Sequence, residues 1–255
     1  MQADVRHFSD VVLTLVRRDF LGRYRNTAVG MLWALVSPLL YLLVFYVVFG
    51  HVLQLGIARY ASFILVGVLA WGWTQAAVLQ AVTAITTNGS MLSQPGFPVA
   101  SLPIVAVASN LVTFVISLPL LLVVMLLEGA HPGASALFAL PIVVVQFVLT
   151  LAVSYLVAGL NVAARDVQFI IPVLLQIGYY VTPIFYSLDK IPAAYRQVLS
   201  LSPLAVIIDG YRTVLIDNHA PDWIALLVSF VVSVVLLVLA AKYFVHASRR
   251  FLEDI

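Results

Sequence analysis

The chain has 255 residues, of which 63% are hydrophobic and only 9% charged, with 13 Lys+Arg against 11 Asp+Glu and a formal net charge of +2. A soluble domain carries roughly 25% charged residues, so this composition, with a mean hydropathy of +1.10, excludes a soluble enzyme, a disordered tail and a free nucleic-acid-binding domain. Cysteine is missing, which excludes disulfides and thiolate metal sites.

The first element is amphipathic. From Phe8 the apolar residues Val11, Val12, Leu15, Val16 and Phe20 recur at helical spacing, with Asp10, Thr14 and Arg17 on the other side. This predicts an interfacial helix over residues 8–26 on the inner leaflet, with Arg17, Arg18, Arg23 and Arg25 at headgroup depth. The plain alternative is that these arginines only fix topology. Asp19 falls inside the apolar arc, and an (i, i+4) pairing with Arg23 is the simplest compensation. The first thirty residues lack the short apolar stretch of a cleavable signal peptide, so the first span is expected to be retained.

Beyond Arg25 the uncharged runs 26–58, 60–127, 129–164, 167–188 and 223–241 are 33, 68, 36, 22 and 19 residues long. A helix needs about 20 apolar residues to cross roughly 30 Å of hydrocarbon, so the 68-residue run holds two spans and each other run one. Six transmembrane helices are predicted, near 32–52, 60–82, 101–127, 136–160, 168–186 and 223–245. A membrane barrel would alternate in segments of about ten residues, which the runs at Leu39 to Val48 and Val228 to Ala241 do not. The fold class is therefore an all-α integral membrane protein, one domain over residues 1–255.

Three stretches along this path stand out. Tyr41, Phe45, Tyr46 and Phe49 cluster in span one, Trp71 and Trp73 in span two, and Tyr179, Tyr180, Phe185 and Tyr186 in span five. Interfacial belts and helix packing use such residues; the functional alternative is that some line a passage. The loop from Thr86 to Pro98 carries no charge and its Gln94-Pro95-Gly96 core breaks any helix, so it is either a connector or a protein-docking surface. From Ser187 to Asp222, two apolar segments too short to cross, Tyr195 to Leu201 and Leu204 to Ile216, flank Ser202-Pro203. They read as a re-entrant helical pair or as an amphipathic surface loop.

Orientation follows from Lys and Arg. Nine lie before span one, after span four and in the tail, against four (Arg59, Lys190, Arg196 and Arg212) on the other side, so both termini are expected to be cytoplasmic. Chemistry-bearing motifs are missing: no G-x-x-x-x-G-K-[ST], no H-E-x-x-H, no G-x-S-x-G, and His7, His51, His131, His219 and His246 are scattered over both sides. The span interiors hold no Asp, Glu, Lys or Arg, which argues against proton- or sodium-coupled transport. The chain is expected not to be an enzyme, and any uphill transport would draw its energy from another chain.

The run from Val16 through Arg23-Tyr24-Arg25 to Gly30-Met31-Leu32-Trp33, followed by Ser37-Pro38-Leu39 and Val47 to Gly50, resembles the membrane subunit of bacterial ABC-type polysaccharide exporters, the O-antigen, teichoic-acid and capsule permeases. Phe97-Pro98, Asn161, Arg165-Asp166, Thr182-Pro183, Tyr186, Ser202-Pro203 and Tyr211-Arg212 extend the likeness from about residue 10 to the tail. The resemblance implies a homodimeric channel of six spans per subunit in the bacterial inner membrane. Two separate ATPase subunits, which bind ATP and Mg, would dock on the loop around Asn88, Met91, Leu92, Phe97 and Pro98 and drive export of undecaprenyl-pyrophosphate-linked glycan. Arg17, Arg18, Arg23 and Arg25 would meet the lipid pyrophosphate, Tyr41, Phe45, Tyr179, Tyr180 and Tyr186 would line the glycan path, and Pro203, Tyr211 and Arg212 would belong to the re-entrant exit region. No cofactor, metal or nucleic-acid partner is expected for the chain itself. Two departures are Gln94-Pro95-Gly96, where a basic residue before Phe-Pro is usual, and Ser37 and Ser202 where Asn commonly precedes Pro. Classes left beside O-antigen export are other polymers, lipid or drug export, and a secondary carrier.

Overall fold

A computed structural model describes residues 2–24, 32–54, 56–88, 97–188 and 191–253. Those residues form helices and irregular connections, without a strand. In chain order the helices are α1 (Gln2–Tyr24), α2 (Trp33–Phe45), α3 (Tyr60–Thr87), α4 (Ser101–Leu127), α5 (Ala139–Ala163), α6 (Val167–Val181), α7 (Ala193–Ser200), α8 (Pro203–Leu215) and α9 (Trp223–Glu253). A wide π-helical turn, Tyr46–Val52, prolongs α2, and a 3-10 turn, Ala134–Phe138, leads into α5.

Five segments are long and apolar enough to cross a membrane: Trp33–Val52, Tyr60–Thr87, Ser101–Leu127, Ala134–Ala163 and Trp223–Ser248. The predicted span 168–186 is the exception. Its helix stops at Val181, after which Thr182 turns to extended backbone (φ −70°, ψ 139°), because a residue before proline is pushed out of the helical region. Fifteen residues remain in α6.

α3 is the central post, with most of its surface buried by neighbours, whereas the first span is almost wholly uncovered. In hydrocarbon, helix association relies on close packing and on polar side chains bonding across helices. Here Gln146 Nε2 donates to Ala70 O (2.6 Å) and Thr74 Oγ1 (3.1 Å), Thr74 meets Thr150 at 3.0 Å, and Trp73 Nε1 donates to Val107 O at 3.1 Å. These bonds fasten α3 to α5 and α4. The tight α5–α9 pairing uses a small residue: a Cβ on Gly159 would lie 3.0 Å from the Tyr243 ring.

The connections fall at two ends. At one, Tyr155 Oη donates to Ala100 O (2.6 Å), and Asn161 Nδ2 donates to Val82 O (2.9 Å) while its Oδ1 accepts from Gln168 N–H (3.1 Å). At the other, Asn218 accepts from Gly133 N–H (2.6 Å) and donates to His131 O (2.9 Å), and Arg59 donates to Ile216 O (2.8 Å). α1 packs along α4 at the first end.

Candidate functional site

α1 begins earlier than predicted and ends at Tyr24. Its apolar arc is as expected: Phe8, Val11, Val12, Leu15, Val16 and Phe20 are half-buried, while Arg17 and Arg18 face outward. Arg23 does form the expected pairing, Nε donating to Asp19 Oδ2 at 3.1 Å. It also does something the sequence did not reveal: it donates to Asn110 Oδ1 on α4 at 2.8 Å and to Gln80 Oε1 on α3. Asn110 Nδ2 donates to the same Gln80 Oε1 at 2.8 Å, so one amide oxygen gathers α1, α3 and α4. Each nitrogen of this guanidinium is thereby directed at a protein acceptor. Arg25 lies outside the described residues.

Below Arg23 a cavity of about 480 Å³ opens between α1, α3 and α4, lined by Arg18, Asp19, Arg23, Gln80, Thr87 and Asn88 among others. Asn88 closes α3, its Nδ2 donating to Ala84 O at 2.8 Å. Phe97 and Pro98 are half-buried beside the start of α4, where Ser101 N–H donates to Pro98 O at 2.8 Å. Both ends of the uncharged loop are thus anchored, and Met91 and Leu92 lie outside the described residues.

On the other side of Arg23 lies a cleft of about 360 Å³ between α2, α3, α4 and α6. Arg23, Trp33, Tyr41, Phe45, Trp71, Tyr179 and Tyr180 are among its lining residues. Four of the five predicted lining aromatics therefore meet in one place. Tyr41 stacks on Phe45 (centroids 6.2 Å apart, planes 8° apart), and Tyr179 stands edge-on to Tyr41 at 6.4 Å. Tyr41 and Tyr180 are 51% and 57% exposed, while Tyr179 is buried and its hydroxyl lacks a partner. Tyr186 does not join them: it lies beyond the last turn of α6, and its hydroxyl donates to Val181 O at 2.5 Å. A Cβ on Gly178 would sit 2.9 Å from Trp71, so glycine lets α6 approach α3 here.

At the opposite end, Arg212 is buried and donates to Pro183 O (2.7 Å), Ile184 O (2.8 Å) and Phe63 O (3.2 Å), with its guanidinium 3.4 Å above the Phe63 ring. It clamps α8 to the broken end of α6 and to α3. Pro203 starts α8 and Tyr211 is buried within it, its ring 6.2 Å from Phe114. Glu128, at the end of α4, accepts from Ala61 N–H (3.0 Å), Ser62 N–H (2.8 Å) and Ser62 Oγ (2.6 Å), and so caps α3 from a different helix.

Sequence reasoning did not single out Gln80, Asn110 or Glu128, nor Gln75 and Gln176, which place amides in the aromatic cleft. The available signal was an isolated amide or carboxylate amid long apolar runs, since such groups seek a partner in hydrocarbon.

A polar anchor leading into a ring-lined cleft among helices long enough to cross a membrane is an arrangement compatible with a membrane transport subunit. The profile of the ABC-2 type transporter family matches residues 10–216, and the chain belongs to that family. It is similar to the O-antigen export system permease protein RfbA of Myxococcus xanthus, 32% identical over 254 residues, 99% of this chain and 98% of that protein. The protein of the same name from Klebsiella pneumoniae is 24% identical over the same shares, and the polysialic acid transport protein KpsM of Escherichia coli is 20% identical over 84% of each chain. The chain is a multi-pass membrane permease subunit.

Proposed function

We propose that this chain is the permease of an ATP-driven exporter that moves undecaprenyl-pyrophosphate-linked polysaccharide, an O-antigen, across the bacterial inner membrane. The observation that carries the reading is the cleft in which Tyr41, Phe45, Tyr179 and Tyr180 converge above Arg23. Ring faces offer contact that tolerates sliding, as a passing polymer requires. Gln75 and Gln176 add hydroxyl partners. Full-length similarity to two O-antigen permeases supports the substrate class over capsule, teichoic acid, lipid or drug, the polysialic acid relative being more distant.

The same reading supplies the parts around the chain. α6 together with Thr182 to Tyr186 makes a sixth crossing, since Gln168 bonds Asn161 at one end and Ile184 bonds Arg212 at the other. That leaves both termini on the cytoplasmic side. α8 is re-entrant: Tyr211 touches Phe114, thirteen residues before the end of α4, a depth of about 20 Å at 1.5 Å per residue. Arg17, Arg18 and Arg25 meet the lipid pyrophosphate, while Arg23 anchors α1 beside them. Two ATPase subunits, which hold ATP and Mg, dock at Asn88 to Pro98 on a homodimer of this chain.

Deleting the gene while leaving glycan synthesis intact tests the reading. Surface polymer should disappear and lipid-linked polymer accumulate inside, and inverted vesicles should take up the lipid-linked glycan only with ATP and the cognate ATPase. Unchanged surface polymer refutes polysaccharide export, and ATP-independent uptake favours a secondary carrier.

A further inference from the structure

We infer that the outer end of α2 and the turn leading to α3 form a second saccharide subsite, which takes a neutral, hydroxyl-rich sugar unit as the polymer leaves the aromatic cleft. The inference rests on the export reading above. A cavity of about 480 Å³ opens at this end, its lining including Tyr46, Phe49, His51, Gln54, Tyr60, Arg59 and Glu128. Its chemistry is that of sugar recognition: ring faces for the C–H side of a pyranose, an amide and an imidazole for its hydroxyls.

Three features make it a built site. The π-helical turn Tyr46–Val52 breaks the α-helical register there, and such turns are frequent at functional sites. The turn brings Tyr46 edge-on to His51, centroids 5.1 Å apart, and against Tyr60 at 6.5 Å. Gly50 permits this closeness, because a Cβ there would lie 3.1 Å from the Tyr60 ring. Aromatic contact also runs on from the cleft: Phe45 packs on Phe185 at 4.2 Å, and Phe185 stacks on Phe49 at 5.7 Å.

The charges decide the ligand class. Both carboxylate oxygens of Glu128 accept from the start of α3, and Arg59 donates to Ile216 O at 2.8 Å. Among the described lining residues one acid and one arginine carry opposite charges, Glu128 being held by the start of α3 and Arg59 by one N–H on Ile216 O. Exposed Gln54 and His51 remain for a ligand, which suits hydroxyl groups better than carboxylates.

The chain has no cysteine of its own, so a Gln54→Cys variant carries one reporter thiol. A membrane-impermeant maleimide added outside should label it several-fold more slowly in cells exporting polymer than in cells lacking a glycosyltransferase, while His219→Cys, exposed and not part of the cavity lining, labels alike in both. Adding Tyr46→Leu should abolish the protection without lowering membrane levels. Equal labelling of Gln54→Cys in both cell types, or protection that survives Tyr46→Leu, overturns the subsite. Protection that collapses at high salt overturns the neutral-sugar assignment, because screening weakens ionic capture and spares stacking. Surface polymer is measured in the same cells: equal labelling of Gln54→Cys in exporting and non-exporting cells with export intact refutes the subsite alone, whereas surface polymer that persists after gene deletion refutes the export reading.

Discussion

Arg23 connects three helices through one planar group. A guanidinium presents five donors in a fixed fork, whereas a lysine ammonium is a compact point charge. Arg23→Lys therefore keeps the positive charge that orients the chain but loses the simultaneous reach to Asp19, Gln80 and Asn110. The expected outcome is normal insertion and membrane level with export reduced several-fold, read as surface polymer; full export would mean that this anchor is dispensable. The Asp19 bond was legible because it follows helical spacing. The bonds to Gln80 and Asn110 were not, since they join positions 57 and 87 residues away and nothing in one sequence marks which isolated amides meet. Glu128 was equally silent, having been read only as the end of an uncharged run. As a cross-helix cap its loss resembles loss of an N-cap, which costs roughly 0.5–2 kcal/mol. Glu128→Ala should lower the unfolding temperature of the detergent-solubilised protein, and no change would show that α3 starts equally well without it.

Among the elements, α6 and α2 are where the charge-gap reading reached its limit. Counting uncharged residues cannot distinguish helix from extended chain, so the predicted span ran to Tyr186 although the helix ends at Val181. Thr182-Pro183 carried the necessary signal, since proline restricts the residue before it. The π turn at the end of α2 had a weaker signal: Tyr46 to Val52 continue the apolar run of α2, interrupted only by Gly50 and His51. Helix proximity was hidden too. Gly178 and Gly72 look alike in the sequence, yet a Cβ on Gly178 would strike Trp71 at 2.9 Å while one on Gly72 meets nothing within 4 Å. Overpacking costs typically about 1–3 kcal/mol, whereas Gly→Ala in an unobstructed helix gains up to about 1 kcal/mol. Gly178→Ala should therefore unfold at a lower temperature than the parent protein and Gly72→Ala at the same or a higher one. The reverse order would mean that α6 does not sit against α3 as described.

For the molecule as a whole, the contrast between a well-covered α3 and an almost uncovered first span sets the problem. Apolar residues such as Leu43 and Ile177 suit lipid, but Tyr41 and Tyr180 expose ring and hydroxyl around an open cleft. A tyrosine hydroxyl in hydrocarbon lacks a partner, so under the export proposal this side is expected to meet a second copy that closes the cleft into a wet passage. A two-fold interface uses the same patch on both subunits, which brings positions near its axis close to their own equivalents. Single cysteines at Leu43, Ile177 and Tyr180 in the cysteine-free chain should therefore include at least one that a short thiol cross-linker converts to a covalent dimer in native membranes. Leu140→Cys, 68% exposed on α5 and outside the cleft, should stay monomeric. Cross-linking at Leu140 alone, or at none of the three, would place the interface elsewhere and leave the cleft facing lipid. In that case it could not serve as a glycan path, because hydroxyl-rich sugar would have to shed its water into hydrocarbon with too few protein partners to replace it.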